Sequence, residues 1–312
     1  MYYPYFRGKQ YELITIRENA ERMSQANIIP IIEPVKRSLT GLRRALEALM
    51  AQQTQFVLVM NPLHGELNGG AEELQAEIVE GLLADYDDCR LGFVVGSNTL
   101  LEDVQEFCQR QNKDVSIIHY GYPRAGELAG AVNGIVAIRE HIFIDECCSR
   151  LYRRNFRNDY RVLVRDGFVK RTNREHPEVE HFSELHITYT EDGFGGFGDF
   201  LTVGDDFSES GGPAYAVAIH LTYIDSNEDD DMFIKHYISD RTTSPTDPGG
   251  KFLEALQKLV DDVEDPNSKI LRSEAVNEFL ELHARGHFPG LGYVKKLSMQ
   301  HHIELIASLQ GG

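Results

Sequence analysis

From residue 28 onward, short apolar runs end in polar residues, and through much of the N-terminal half a helix-like segment follows each run. The runs are Asn27-Ile-Ile-Pro-Ile-Ile-Glu33, Phe56-Val-Leu-Val-Met-Asn61, Leu91-Gly-Phe-Val-Val-Gly-Ser97, Val115-Ser-Ile-Ile-His119, His141-Ile-Phe-Ile-Asp145 and Arg161-Val-Leu-Val-Arg-Asp166. They recur roughly every 20 to 35 residues, the length of a strand–crossover–strand unit. A parallel strand covered on both faces reads as a continuous apolar run. Short right-handed crossovers keep sequential strands adjacent, so these runs are expected to be parallel neighbours with helices outside them. The pattern predicts an α/β fold.

The intervening segments carry helical spacing. Leu39–Gln53, Ala71–Asp85 and Thr99–Asn112 are amphipathic, with Ser38, Asn68 and either Ser97 or Asn98 as start signals. Tyr11–Gln25 is expected as a helix before the first strand, either a barrel plug or an ordinary packing helix. After Asp166 the rhythm changes. Glu184–Thr190 and Ala214–Tyr223 alternate with period two, as half-buried antiparallel strands do. Between them lie the glycine-rich Gly193–Gly198 and the strand-like Asp199–Val203. The acidic tip Asn227–Asp231 joins Ala214–Tyr223 to Met232–Ile238, so residues 184–240 form an irregular hairpin region. Helices are expected at Gly250–Val263, Ser273–Arg285 and Lys296–Leu309. With no internal repeat and no long linker, residues 1–312 read as a single domain with an irregular second half.

Composition narrows the function classes. A chain of 312 residues, 42% of them apolar, buries a sizeable core. Its formal charge of −18 argues against a general nucleic-acid or anionic-membrane binder. Cys89, Cys108, Cys147 and Cys148 make no CxxC pair, which points to a reducing cytoplasm. The first ten residues contain no apolar stretch of signal-peptide length, and no segment reads as a membrane span.

Candidate chemistry collects at the strand ends. Glu33, Asn61, Ser97, His119, Asp145 and Asp166 would converge on one rim if six parallel strands share a barrel or sheet. Glu33, Asp145 and Asp166 are then expected to hold a divalent ion such as Mg or Mn, and His119 to transfer a proton. The alternative is that polar residues simply mark where strands leave the core. Arg150–Arg174 holds nine basic residues against Asp159 and Asp166, a local +7 in an acidic chain. Tyr152, Phe156 and Tyr160 interleave with Arg153, Arg154, Arg157, Arg161 and Arg165, a mix able to hold phosphates and stack on bases. The same face could instead pair internally or dock an acidic partner.

Gly193, Gly195 and Gly198 fit Gly-x-Gly-x-x-Gly, but a dinucleotide fingerprint requires a helix to follow, and strand-like residues follow here. The stretch therefore reads as a loop or lid beside the rim. It continues into a polar segment with Asp199, Asp205, Asp206, Ser208 and Ser210 that ends at Gly211-Gly212-Pro213. His301-His302 and His283/His287 lack a matching cysteine or carboxylate set for zinc. Cys147 and Cys148 follow Asp145-Glu146, a setting that raises a thiol's pKa, and read as core.

The segments Tyr3-Pro-Tyr-Phe-Arg-Gly-Lys-Gln-Tyr-Glu-Leu13, Ile29-Pro-Ile-Ile-Glu-Pro-Val35, Gly198-Asp-Phe-Leu-Thr-Val-Gly-Asp-Asp206 and Leu291-Gly-Tyr-Val-Lys-Lys-Leu-Ser298 resemble the beta-protein-like family, known from a satellite phage and many bacterial genomes. The resemblance spans nearly the whole chain and transfers no catalytic residue. It implies a TIM-barrel-like fold and a place in anti-phage defence cassettes, with a protein partner from the same cassette. Two functions follow as expectations. One is a metal-assisted phosphodiesterase or nuclease-like hydrolase at the rim, with Arg161 and Arg165 gripping phosphate. The other is a non-catalytic sensor or scaffold contacting its partner through the arginine segment and the glycine-rich loop.

Overall fold

A computed structural model describes residues 1–68, 72–208 and 212–310. Ala71, Ser210 and Gly211, which figure in the expected elements, lie outside the described residues. By its contacts the chain divides into two compact units. The first comprises Met1–Asp166 with Leu185–Phe200, and the second Gly167–Glu184 with Leu201–Gly312.

The first unit is a TIM-barrel-like α/β barrel. Its strands are β1 (Tyr5–Phe6), β2 (Ile31–Ile32), β3 (Phe56–Val59), β4 (Cys89–Gly96), β5 (Val115–Tyr120), β6 (Ile138–Ile144) and β7 (Arg161–Val164). The chain then passes through β8 (Val179–Ser183), in the second unit, and returns as β9 (Gly196–Gly198). The eight barrel strands lie in the order β1 to β7 and then β9, every pair parallel. Backbone bonds close the barrel: Tyr3 N–H to Phe197 O at 2.8 Å, Tyr5 N–H to Asp199 O at 2.9 Å and Phe197 N–H to Met1 O at 3.1 Å.

Alternation along each strand sends one set of side chains into the barrel. Tyr3, Tyr5, Ile29, Ile31, Val57, Val59, Val94, Ile118, Ile142, Ile144, Val162, Val164 and Phe200 form one buried cluster there. Near the strands' N-terminal ends the filling is polar. Glu140 accepts from Tyr3 Oη at 3.0 Å, Ser116 Oγ at 2.7 Å and Arg90 Nη1 at 2.7 Å. A buried carboxylate with three donors satisfies most of its hydrogen-bonding capacity.

Helices cover the outside as the spacing predicts. In α3 (Thr40–Ala51), Leu42, Ala45, Leu46 and Leu49 form the buried stripe. The expected helix at 11–25 breaks at Asn19 into α1 (Gln10–Glu18) and α2 (Ala20–Gln25), and α1 packs against α3. It does not precede the first strand, because β1 comes before it; a two-residue strand is too short to show a period. Leu74–Leu82 is a π-helix, and α4 spans Leu101–Arg110. Neither Ser38 nor Ser97 caps a helix: Leu39 and Leu100 hold those positions without a side-chain bond. Short α5 (Ala125–Val132) and α6 (Arg150–Arg153) follow β5 and β6.

Two expectations are corrected here. The alternating Glu184–Thr190 is not a strand but the short helix α7 (Leu185–Thr188), closed by Tyr189 N–H to Leu185 O. The glycine stretch is not a lid, since Gly196–Gly198 is the eighth barrel strand and Asp199–Val203 turns away from it. Its glycines are spacers. A Cβ on Gly198 would lie 2.1 Å from the Tyr3 carbonyl oxygen, and one on Gly196 2.7 Å from the Tyr3 ring.

The second unit holds an antiparallel sheet in the order β10 (Ala218–Asp225), β11 (Asp231–Ile238), β8. The hairpin tip falls in the acidic residues, as its composition predicts. Helices α8 (Pro248–Glu264), α9 (Glu274–Arg285) and α10 (Leu291–Gln310) pack an apolar core with Ile219, Leu221, Phe252, Leu256, Phe279 and Leu297. His301 and His302 are fully buried, His301 bonded to Ser273 and the Thr222 carbonyl and His302 to the Thr222 hydroxyl. Among the described residues no helix is long and apolar enough to cross a membrane.

Because the Gly198 clash is with backbone, Gly198→Ala should destabilise the chain by roughly 1–3 kcal/mol. Gly212→Ala, which meets nothing within 4 Å, is the control and should be near neutral in the same urea titration.

Candidate functional site

The C-terminal ends of the first barrel strands carry an ion-pair centre. Arg7 follows β1 and Glu33 follows β2, each in register with the inward-facing positions. Arg7 Nε lies 3.1 Å from Glu33 Oε2, which also accepts from Tyr5 Oη at 3.0 Å. Glu33 Oε1 accepts from Leu63 N–H at 2.8 Å and lies 3.1 Å from His64 Nδ1. The Arg7 guanidinium sits 5.5 Å from the centroids of both the Tyr5 and Phe200 rings. Burial pulls the Glu33 carboxyl upward, but the His64 hydrogen bond, the Arg7 charge and the Leu63 N–H outweigh it, and its pKa falls below the ordinary range.

Glu12, on α1, goes the other way. It accepts the Arg7 backbone N–H and is buried, and burial lifts it to about 7 despite the opposing charges of Lys9 and Arg7. Two carboxyls flanking one arginine are thus driven apart in acidity, the arrangement that assigns a proton-holding and a charged partner. Arg7, Glu12 and His64 were not singled out in the sequence. Arg7 does end a strand in the manner of the recognised runs, but that strand is two residues long.

A second ion-pair centre involves Asp145, which begins a 3₁₀ turn after β6. Arg153 bonds its Oδ1, and Arg165 Nε lies 2.6 Å from its Oδ2. Arg153 and Arg161 also sit over the Phe194 ring, at 5.7 and 4.7 Å. A carboxylate held between two guanidiniums is neutralised by side chains of its own fold.

The remaining strand-end residues scatter. Asn61 mimics a strand partner, donating to Val94 O at 2.8 Å and accepting Val94 N–H at 2.7 Å. Ser97 is exposed. Asp166 donates its backbone N–H to Glu146, and Asp199 is buried and accepts from Tyr2 Oη at 2.7 Å. His119 points to the outer face of the sheet and is fully buried. It bonds Tyr152 Oη at 2.8 Å and His141 at 2.9 Å and stacks on Phe143. Burial and the neighbouring His141 push its pKa well below the ordinary histidine range, so it stays neutral.

Glu33, Asp145 and Asp166, expected around one divalent ion, are therefore not brought together. Among the described residues, the groups of three ligating side chains whose donor atoms lie within 4.8 Å of one another are His176/Glu180/His236 and His181/Glu184/Asp231. The physical reason is that Glu33 continues the inward-facing alternation whereas Asp145 and His119 fall on outward-facing positions, and one residue of register reverses the face. In the arginine segment the three interleaved aromatics divide, Tyr160 being exposed. Tyr152 and Phe156 are packed in the core, while Arg150, Arg154 and Arg157 are exposed.

No known family's model matches the chain, and no curated protein matches it.

Glu12 makes a pH-dependent prediction. From an ordinary pKa of 4.5 it rises to about 7 on folding. Between those values the unfolded chain releases the proton while the folded chain holds it, so stability falls as pH rises through this window. Glu12→Gln should remove that loss, raising unfolding free energy at pH 8 by roughly 3 kcal/mol more than at pH 4. Urea midpoints at the two pH values measure the difference.

Proposed function

We propose that this protein is a recognition component of an anti-phage defence cassette, a barrel that docks an acidic protein partner rather than hydrolysing a phosphodiester. The observation that carries the reading is the division of the arginine segment. Arg153 and Arg165 are committed to Asp145, whereas Arg154 and Arg157, and Arg150 with its surface ion pair to Asp192, are exposed in the same segment as Leu151, itself 71% exposed. An exposed apolar side chain in a segment of exposed cations, on a chain of net −18, suits an acidic protein surface that also offers an apolar contact.

Two further points support it. Of the rim carboxylates nominated for a metal, Glu33 is paired with Arg7 and Asp145 with Arg153 and Arg165. Two of the three aromatic side chains interleaved with the arginines, Tyr152 and Phe156, are buried, which leaves Tyr160 alone for base stacking. The defence context and the cassette partner rest on the family resemblance of the four segments from Tyr3 to Ser298.

Triple replacement Arg150→Glu/Arg154→Glu/Arg157→Glu should abolish co-purification with the cassette partner and phage protection, and leave the melting temperature nearly unchanged. Binding of the wild-type pair should weaken as salt rises. If the wild type instead binds single-stranded nucleic acid at low salt and the triple variant does not, the nucleic-acid reading replaces this one. Metal-dependent phosphodiester cleavage lost in Asp145→Asn would restore the hydrolase.

A further inference from the structure

The second unit contains a cluster that the strand-end pattern did not mark. β8 pairs with β11 so that Glu180 faces Ile234, and β11 pairs with β10 so that His236 faces His220. Since alternate residues of a strand share a face, Glu180, His220 and His236 gather on one face of the sheet. His176 joins them from the loop that precedes β8. Phe168 stands against all three imidazoles, with ring centroids 5.4 Å from His176, 5.1 Å from His220 and 6.3 Å from His236.

Donor atoms converge within this cluster. His236 Nε2 lies 3.0 Å and His176 Nδ1 3.5 Å from the same carboxylate oxygen, Glu180 Oε1. Behind it, His236 Nδ1 is 2.6 Å from His220 Nδ1. Arg171 bonds both oxygens of Glu180, at 2.6 and 2.7 Å. His176 and His236 are buried, and Glu180 retains 14% exposure.

From this geometry we propose that His176, Glu180 and His236 bind one divalent transition-metal ion of the zinc class, with His220 orienting His236 from behind. Two imidazoles and one carboxylate are a donor set that such ions take at about 2.0–2.2 Å, leaving a fourth position for water or a substrate atom. In a tetrahedral site, ligand atoms at those bond lengths stand roughly 3.3–3.5 Å apart. The observed 3.0 and 3.5 Å separations are already close to that. The tautomer required is the one in which His236 carries its proton on Nδ1 and donates it to His220, which leaves Nε2 free. That is the outer-shell arrangement that fixes metal-bound histidines. Arg171 can remain on Glu180 Oε2 while Oε1 turns to the ion.

The protonation state suits ligation. Burial lowers the pKa of His176, of His236 to about 4, and of His220 well below the ordinary value, with mutual repulsion and Lys295 adding to the last. Neutral imidazoles bind without having to lose a proton. An ion here would also tie the loop at His176 to β8 and β11, so it should stabilise the fold by mass action. The other group, His181/Glu184/Asp231, lies at the surface and serves as an internal control.

The test uses the full chain, stripped with a chelator and titrated with Co2+ and then Zn2+. Wild type should take up one Co2+ with the visible absorption of a low-coordinate site, and Zn2+ should displace it and raise the melting temperature. Glu180→Gln preserves size and a hydrogen bond to the site, and should weaken Co2+ binding by roughly tenfold or more. His176→Ala should do the same, while His181→Ala should bind as wild type does. If His176→Ala fails to fold, Glu180→Gln alone decides. Absence of Co2+ uptake by the wild type, full affinity in Glu180→Gln, or loss in His181→Ala would overturn the proposal. None of these outcomes bears on the partner surface, which lies in the other unit.

Discussion

The fold of the first unit depends on the contact between the first strand and the last. An open sheet of eight parallel strands would leave two rows of unpaired backbone groups. The bonds of Tyr3 and Tyr5 to Phe197 and Asp199 remove both edges at once. This closure joins residues nearly two hundred positions apart, and it is possible only because Gly196 and Gly198 carry no side chain where the Tyr3 ring and carbonyl press in. The barrel interior, the polar centre at Glu140 and the mouth at Glu33 all follow from that closure.

At the mouth, electrostatics act as structure. Glu33 is nearly inaccessible and holds together the ends of β1 and β2 and the Leu63–His64 segment with one carboxylate. Asp145 does the same for Arg153 and Arg165. Removing one partner of such a pair leaves a buried charge uncompensated, which costs more than the intact pair contributes. The residues best placed for chemistry by position are thus engaged in holding the strand ends. What they leave to solvent is Arg150, Arg154 and Arg157, and that division directs the functional reading towards recognition.

The second unit solves a different problem. Its antiparallel sheet packs against α8 and α10, while β8 and the loop before it bring Glu180 and His176 against His236. There three imidazoles and Arg171 share one carboxylate and one another as hydrogen-bond partners beside a phenyl ring.

The apolar runs at 28–32, 56–60, 91–95, 115–118, 141–144 and 161–164 determined the parallel sheet by themselves. A strand buried on both faces has to be apolar throughout, and that requirement is written locally. The helical stripes at Leu42–Leu49 and Phe252–Val260 were legible for the same reason. The candidate site was legible only as a set of positions. Glu33 and Asn61 do stand at the inner rim, but which face His119 and Asp145 present depends on one residue of register, which pairing with neighbouring strands fixes. β1 was too short to carry a period, so Arg7 went unread. Gly193–Gly198 has the composition of a loop, and its end, Gly196–Gly198, became a strand because Met1–Tyr5 offered it a backbone to pair with. His176, Glu180, His220 and His236 lie on separate segments, and only the register of β8, β10 and β11 brings them to one point. Local burial is encoded in local composition; convergence is a property of pairing between distant segments, and the tertiary structure alone decides it.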